Sequence, residues 1–264
     1  MGLIGAGKMA RAMVEGMLRS GARLPDSLLC TSAADGTGEA LAADTGIGWT
    51  ADAAEVVARA DTLVLAMKPQ QLADFSVADG ERAEGRLILS ILAGTSLSTL
   101  AERFPRARNI VRIMPNTPGS IGVGVSGWCS RAPLTGEDRK VVEDLLRSLG
   151  RSVAVTEAEM DAVTAVSGSG PAYVFEMAAA LMAAAEKVDL SPGVARTLVV
   201  ETLYGAATLL RESDESADQL RTNVTSPGGT TEAALKVFSE HQFRGVIEKA
   251  VTAARDRSRV LAGG

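Results

Sequence analysis

The sequence predicts an α/β domain built on a doubly wound, mostly parallel sheet, followed by an all-helical domain. From residue 3 to about residue 155, short β-rich runs such as DTLVLAM and NIVRIM alternate with amphipathic or alanine-rich stretches. Such alternation is typical of a parallel sheet with helices on both faces. After Ala154 the strand signals stop, and long helical patterns punctuated by Gly, Pro and Ser follow. We therefore expect a first domain over residues 1–155 and a second over residues 156–264.

The composition fits two domains and argues against several classes of protein. With 264 residues, 46% of them hydrophobic, the chain can bury a core without disulfides. A net charge of -5 and the lack of any Lys or Arg run argue against a nucleic-acid partner. The two cysteines and the single histidine are not at metal-ligand spacing, so we expect no metal site.

The sequence contains no segment that we interpret as a signal peptide or a membrane span. The start MGLIGAG lacks a charged region followed by an extended apolar stretch. The longest apolar run, from Met177 to Ala185, has about half of the ~20 residues that a spanning helix needs. We interpret this run as buried helix and expect a cytoplasmic protein.

The motif GAGKMA, from Gly5 to Ala10, follows a short apolar strand and begins a helical pattern. Gly5 permits a tight turn, Gly7 lets the backbone approach a pyrophosphate, and Ala10 still allows close packing of helix on strand. A Gly-x-Gly-x-x-Ala match is weak on its own. The alternating strands that follow favour a Rossmann-type dinucleotide site over a glycine-rich turn without a ligand.

The end of the second predicted strand bears on the choice of coenzyme. An NAD enzyme places Asp or Glu there to bind the adenosine ribose, whereas this chain has Thr31 and Ser32. Their hydroxyls can donate to a 2′-phosphate, so the sequence favours NADPH and leaves NADH possible. No Arg follows and Asp35 is nearby, so Lys8 either supplies the missing positive charge or is a solvated lysine.

Three later strand ends are further candidates for the cofactor site. Ala66-Met67-Lys68-Pro69 ends DTLVLAM, and ligands bind at the carboxyl ends of strands in such sheets. We expect Lys68 near the ribose or the nicotinamide. Ile91 to Gly94 and Met114 to Pro118 close two later strands with small or amide-bearing residues suited to a flat ring, and both also fit ordinary turns.

The helical half contains a second candidate site and a candidate interface. In NVTSPGGTTEAAL, from Asn223 to Leu235, two glycines and two threonines precede a helix, whose free N–H groups and partial positive charge hold a small carboxylate or phosphate. From local sequence alone, Thr231 fits an N-cap hydroxyl of this helix better than a ligand contact. The pattern from Ala172 to Ala185 is apolar nearly all round, with only Glu176 charged, which favours a covering partner subunit.

Six motifs, in order GAGKMA, LAMKP, ILAG, RIMPNTP, SGSGPAY and TSPGGTT, closely resemble those of the pyrroline-5-carboxylate reductase family. The resemblance runs from Gly2 to about Leu261, and SGSGPAY and SPGG-x-T are its most specific parts. It implies a Rossmann domain, a helical domain that interlocks with its dimer mate, and larger rings built from dimers. It also implies reduction of L-1-pyrroline-5-carboxylate to L-proline by NAD(P)H.

The resemblance also implies which residues contact each ligand. The implied cofactor contacts are Ile4, Gly5, Ala6, Gly7, Lys8, Met9, Ser32, Ala66, Met67, Lys68, Pro69 and Ala93. The implied substrate contacts are Glu157, Asn223, Gly229, Thr230 and Thr231. Ala53 departs from the family pattern, in which an asparagine often touches the adenine end of the cofactor, so one polar contact is missing.

Thr231 is the predicted catalytic residue. The substrate carboxylate docks on the N–H groups of Gly229, Thr230 and Thr231, and the Thr231 hydroxyl hydrogen-bonds the imine nitrogen as a positioning donor. Tyr173 is the rival proton donor, although an aromatic residue after Gly-Pro at a helix start is more often used for packing.

Other functions remain open at this point. A related imine reductase or 3-hydroxyacid dehydrogenase would use a lysine in the helix after a glycine motif, and SGSGPAYVFE offers none before Lys187. A non-catalytic dinucleotide sensor would have no need of the second anion site in SPGGTT.

Overall fold

The computed structural model describes residues 1–73 and 77–262 of the chain. By their internal contacts the residues form two units. The first comprises Met1–Ser169 together with Ala254–Gly264, and the second comprises Gly170–Ala253. Within the described ranges, no helix is long and apolar enough to cross a membrane.

The first unit is built on a sheet whose strands run in the order β3-β2-β1-β4-β5-β6-β7-β8. All neighbouring strands are parallel except β6 and β7. The predicted mostly parallel sheet is therefore confirmed. The strands are β1 Gly2–Ile4, β2 Leu29–Thr31, β3 Gly48–Trp49, β4 Thr62–Leu65, β5 Leu87–Ser90, β6 Asn109–Met114, β7 Gly124–Ser130 and β8 Gly150–Ala154.

Helices cover both faces of this sheet. Successive residues of a strand point to opposite faces, so one strand contributes apolar side chains to two cores. Leu3 of β1 lies in a core with Met13 of α1 and with side chains of α6. The next residue, Ile4, lies in a second core with Val56 of α3 and with side chains of α5. The helices of the first unit are α1 Lys8–Arg19, α2 Thr37–Thr45, α3 Ala53–Arg59, α4 Val77–Arg82, α5 Leu97–Arg103, α6 Gly136–Leu149 and α7 Met160–Val163.

The segment after β8 packs on the sheet before the second unit begins. Thr164–Gly168 forms a π-helical turn, and a Cβ on Gly168 would lie 2.6 Å from Met114 Cε at the end of β6. Residues 156–169 therefore belong to the first unit, whereas the sequence places the boundary at residue 155.

The second unit is helical, as predicted for this part of the chain. Its helices are α8 Gly170–Lys187, α9 Pro192–Glu212, α10 Ala217–Asn223, α11 Thr230–Glu240 and the start of α12 Phe243–Leu261, whose last turns belong to the first unit.

Apolar side chains of α8 and α9 are exposed on the single chain. Phe175 is 67% exposed and Leu198 52% exposed, and among the described residues of α8 none is buried. The interpretation of Met177 to Ala185 as buried helix is therefore wrong within one chain. The predicted need for a covering partner subunit rests on the same apolar surface.

Candidate functional site

The glycine turn after β1 passes between the ends of β2 and β4. The Gly5 N–H donates to Thr31 O at 2.8 Å, and the Ala66 N–H donates to Ile4 O at 2.8 Å. Gly5 has φ 105°, and a Cβ there would lie 2.5 Å from the Ala66 carbonyl carbon. Glycine is required at this position because a side chain would be strained and would clash with backbone.

The N-terminus of α1 is open beside this turn. The N-cap residue Gly7 has extended backbone (φ -69°, ψ -178°), and in the described part of the chain no side chain caps it and no acid lies in the first turn. A Cβ added to Gly7 would meet no described atom within 4 Å. A helix end with free N–H groups and open space in front of it fits a pyrophosphate group.

A cavity of about 500 Å³ extends from the glycine turn to the loop after β2. Of the predicted cofactor contacts, Lys8, Met9, Pro69 and Ala93 do not line it. The lining residues are Ile4, Gly5, Ala6, Gly7, Thr31, Ser32, Ala33, Asp35, Thr37, Ala51, Ala53, Ala66, Met67, Lys68 and Gln71. Lys8 is the exposed first residue of α1, which favours its interpretation as a solvated lysine.

Two side chains after β2 already accept the first N–H groups of α2. Asp35 Oδ1 accepts from the Thr37 N–H at 3.0 Å and from the Thr37 hydroxyl at 2.7 Å. Ser32 Oγ accepts from the Gly38 N–H at 3.0 Å and donates to Ala33 O at 2.9 Å. The hydrogen bonds from the Thr37 hydroxyl and N–H hold the pKa of Asp35 below its ordinary value. The carboxylate is therefore ionised at neutral pH.

The sequence did not single out Thr37 and Gln71, which also line the cavity. Thr37 is the first residue of α2, and the Gln71 side chain accepts from the Lys68 N–H at 2.9 Å. Thr37 follows the loop after β2, and Gln71 lies in the segment Pro69–Leu72 after β4. The detectable signal was the position of Thr37 just after a glycine at a helix start.

The MPNTP and SGSG motifs contact each other at the end of β6. The Asn116 amide donates to Ser167 O at 3.3 Å, and its oxygen accepts from the Val125 N–H at 3.0 Å. The Ser167 hydroxyl is buried without a hydrogen-bond partner among the described residues. The two motifs are therefore held together by hydrogen bonds of the Asn116 side chain to backbone groups.

Glu157 binds groups of the first unit. Its Oε1 accepts from the Leu97 N–H at the start of α5 at 2.5 Å, and Arg112 Nη1 lies 3.5 Å from the same oxygen. The Arg112 side chain is only 7% exposed. Glu157 thus joins the start of α5 to a buried cation on β6.

We expect Glu157→Ala to lower the stability of the chain by ~1–2 kcal/mol, because it leaves a buried guanidinium without its carboxylate. Glu157→Gln keeps the acceptor for the Leu97 N–H and should lose less. The unfolding temperature and the KM for substrate of both variants separate a stabilising function of Glu157 from a substrate contact. A raised KM with unchanged unfolding temperature would contradict it.

The second candidate site lies at the start of α11. Gly229 is the N-cap residue, and no side chain within the described second unit caps it. Its own N–H donates to Ser226 O at 3.0 Å, and the Gly228 N–H donates to Glu232 Oε2 at 2.7 Å. The donors at this helix start are consequently the N–H groups of Thr230, Thr231 and Glu232, because the first intrahelical bond is made by the Ala233 N–H.

The structure gives the positions and hydrogen bonds of three residues that the sequence analysis named. Gly229 does not present its N–H to a ligand, because Ser226 O already accepts it. Thr231 is the second residue of the helix, so it is not the N-cap. Asn223 ends α10, where its amide nitrogen donates to Glu215 at 3.0 Å and its oxygen accepts from Gln219 at 2.9 Å.

The surroundings of this helix start form an open hollow of about 500 Å³. Asn223 is not part of its wall. The lining residues are Thr225, Gly228, Gly229, Glu232, Ala233, Leu235 and Lys236.

Family models match both halves of the chain. Residues 1–94 match the model described as NADP oxidoreductase coenzyme F420-dependent. Residues 157–261 match the model described as pyrroline-5-carboxylate reductase dimerisation. Together with the glycine turn and its cavity, these matches define the class: an NADP-dependent oxidoreductase with a Rossmann domain and a helical dimerisation domain.

Whole-chain relatives identify the family within this class. Pyrroline-5-carboxylate reductase 2 of Bacillus subtilis is 33% identical, over 98% of this chain and 93% of the relative. A pyrroline-5-carboxylate reductase structure from Coxiella burnetii has a TM-score of 0.91 at 33% identity, covering 99% and 97% of the two chains. The Plasmodium falciparum pyrroline carboxylate reductase with NADP bound gives 0.83 at 29% identity, covering 99% and 97%. The chain belongs to the pyrroline-5-carboxylate reductase family.

Proposed function

We infer that this chain reduces L-1-pyrroline-5-carboxylate to L-proline with NAD(P)H, the last step of proline biosynthesis. The observation that carries this inference is the pair of uncapped helix starts behind glycine turns, one before α1 and one before α11. Each suits an anionic group, which the pyrophosphate of the cofactor and the carboxylate of the substrate supply. Family membership over the whole chain supports the same reaction.

The first unit binds the cofactor, and NADPH supplies the hydride when bound. The N-terminus of α1 holds the pyrophosphate, because its N–H groups are free and Gly7 leaves room. The loop after β2 receives the adenosine end, and the ends of β4 and β5, with Lys68 and Ala93, receive the nicotinamide end. The NADP-bound Plasmodium relative supports the choice of coenzyme.

The start of α11 holds the substrate. The N–H groups of Thr230 and Thr231 orient the carboxylate, and the Thr231 hydroxyl donates to the imine nitrogen. Gly229 fixes the turn, since a Cβ there would collide with the side chain of Ser226. Asn223 supports the loop from α10 through its hydrogen bonds to Glu215 and Gln219.

The helical domain mediates self-association, as its dimerisation match and its exposed apolar side chains support. We propose a dimer as the basic unit and a ring of dimers as the larger assembly. The cytoplasmic location stays a prediction.

The decisive experiment is an initial-rate assay with purified protein. Cofactor oxidation is followed with pyrroline-5-carboxylate and either NADPH or NADH, and proline is identified as product by mass spectrometry. Rapid turnover with proline formed supports the assignment. Dinucleotide binding without turnover would overturn it in favour of a related imine substrate or a sensor.

A further inference from the structure

The loop from Ser32 to Thr37 lies where the adenosine ribose must bind. With the pyrophosphate at the start of α1, the residues after the second strand of a Rossmann domain reach the ribose 2′ position. Several of these residues line the cofactor cavity. In the sequence SAADGT, Asp35 is the only charged side chain.

Asp35 occupies the position that an anionic ligand would take at α2. A 2′-phosphate at this loop would be held by the first N–H groups of the helix. Asp35 Oδ1 already accepts the Thr37 N–H, and Ser32 Oγ already accepts the Gly38 N–H. Two of the first N–H groups of this helix are thus already bonded to side chains of the same loop. A phosphate would have to displace the carboxylate or bind beside it.

The charges around the loop do not offset this carboxylate. Among the described cavity-lining residues, Lys68 is the only cation, and it follows β4 on the other side of the glycine turn. Lys8 does not line the cavity. A phosphate monoester brings close to two negative charges at pH 7. The ribose diol of NADH, in contrast, offers hydroxyl groups that a carboxylate accepts well.

We propose that Asp35 determines the coenzyme preference of this enzyme, by opposing the 2′-phosphate of NADPH and accepting from the ribose hydroxyls of NADH. This inference rests on the cofactor site of the proposed function. We therefore expect the enzyme to bind both coenzymes. The ratio of the two Kd values should favour NADPH less than it would without the Asp35 carboxylate.

The test is direct coenzyme binding to the full-length protein, without substrate. Trp49 provides a signal, because a Cβ on Gly38 would lie 2.5 Å from Trp49 Nε1 and 2.8 Å from Ser32 Oγ, so the indole lies beside the loop. Quenching of its fluorescence, checked by calorimetry, gives the Kd of NADPH and of NADH for each variant.

In Asp35→Asn the amide oxygen keeps the hydrogen bonds to Thr37 while the charge is lost. We expect the Kd of NADPH to fall about tenfold, which corresponds to one repulsive charge pair at the protein surface. The Kd of NADH should stay the same or rise. Asp35→Ser, which keeps a short acceptor, should show the same direction if the asparagine variant folds poorly.

Glu39→Gln is the matched control. It removes the same charge from an exposed residue in the first turn of α2, four residues after Asp35, and Glu39 does not line the cavity. Its ratio of the two Kd values should change less than about twofold, as expected for a solvent-screened charge. An unchanged ratio in Asp35→Asn, or an equal change in Glu39→Gln, overturns the proposal. Wild-type protein that binds neither coenzyme would instead refute the proposed function.

Discussion

Gly7→Asp should weaken NADPH binding severely while leaving the fold as stable as the wild type or slightly more so. Gly7 is the N-cap of α1 in extended backbone that any residue adopts, and aspartate is a preferred N-cap. A Cβ added there meets no described atom within 4 Å. The new carboxylate would occupy the place of the pyrophosphate and repel it. We expect the Kd of NADPH to rise by more than about 100-fold, ~2.7 kcal/mol.

Calorimetry for NADPH and thermal unfolding without coenzyme measure the two effects separately. Gly7→Ala adds bulk without charge and should give an intermediate loss of affinity. Gly5→Ala is the contrasting variant, because φ 105° and a Cβ 2.5 Å from backbone predict lost stability as well as lost binding. If Gly7→Asp bound NADPH within about fivefold of wild type, the α1 start would not be the pyrophosphate site.

Thr231→Ala should reduce kcat by about 10- to 100-fold, which is the usual effect of removing one positioned donor. The backbone N–H at position 231 remains, so the substrate carboxylate keeps its site and KM should change less than kcat. Alanine is also a good helix former at the second position of α11, so the fold should not suffer. Steady-state kinetics together with the Kd of NADPH, which should not change, test this.

Two further variants, at positions 231 and 230, separate the effect of the Thr231 hydroxyl from that of the helix start. Thr231→Ser restores the hydroxyl and should recover most of the rate. Thr230→Ala removes an exposed side chain and keeps its N–H, so it should behave nearly as wild type. A fully active Thr231→Ala would exclude this hydroxyl from the reaction, and an equally impaired Thr230→Ala would attribute the effect to the helix start as a whole.

The central strands β1, β2, β4, β5 and β6 were predictable because they are buried apolar runs separated by helical periodicity. The two-residue strand β3 was not predictable, because Gly48 and Trp49 are exposed and two residues do not form a pattern. The tight turn at Gly5 and the helix start at Gly7 could be predicted from spacing, because both depend on backbone geometry alone. Sequence could not show that Asp35 and Ser32 cap α2, because such contacts depend on how a loop folds back on a helix start.

The α11 site shows the same limit. The motif correctly predicted a helix start with free donors, yet which N–H groups stay free depends on Ser226 and Glu232 folding back on the turn. Hydrogen bonds of this kind span three or four residues and compete with equally plausible partners. Periodicity does not distinguish among them.

The exposed apolar side chains of α8 and α9 have a thermodynamic consequence. Where the surface of one subunit is covered by another, folding and assembly become a single equilibrium that depends on concentration. The melting temperature of this protein should then rise with the logarithm of its concentration. Simple dilution would act on this protein as a mild denaturant.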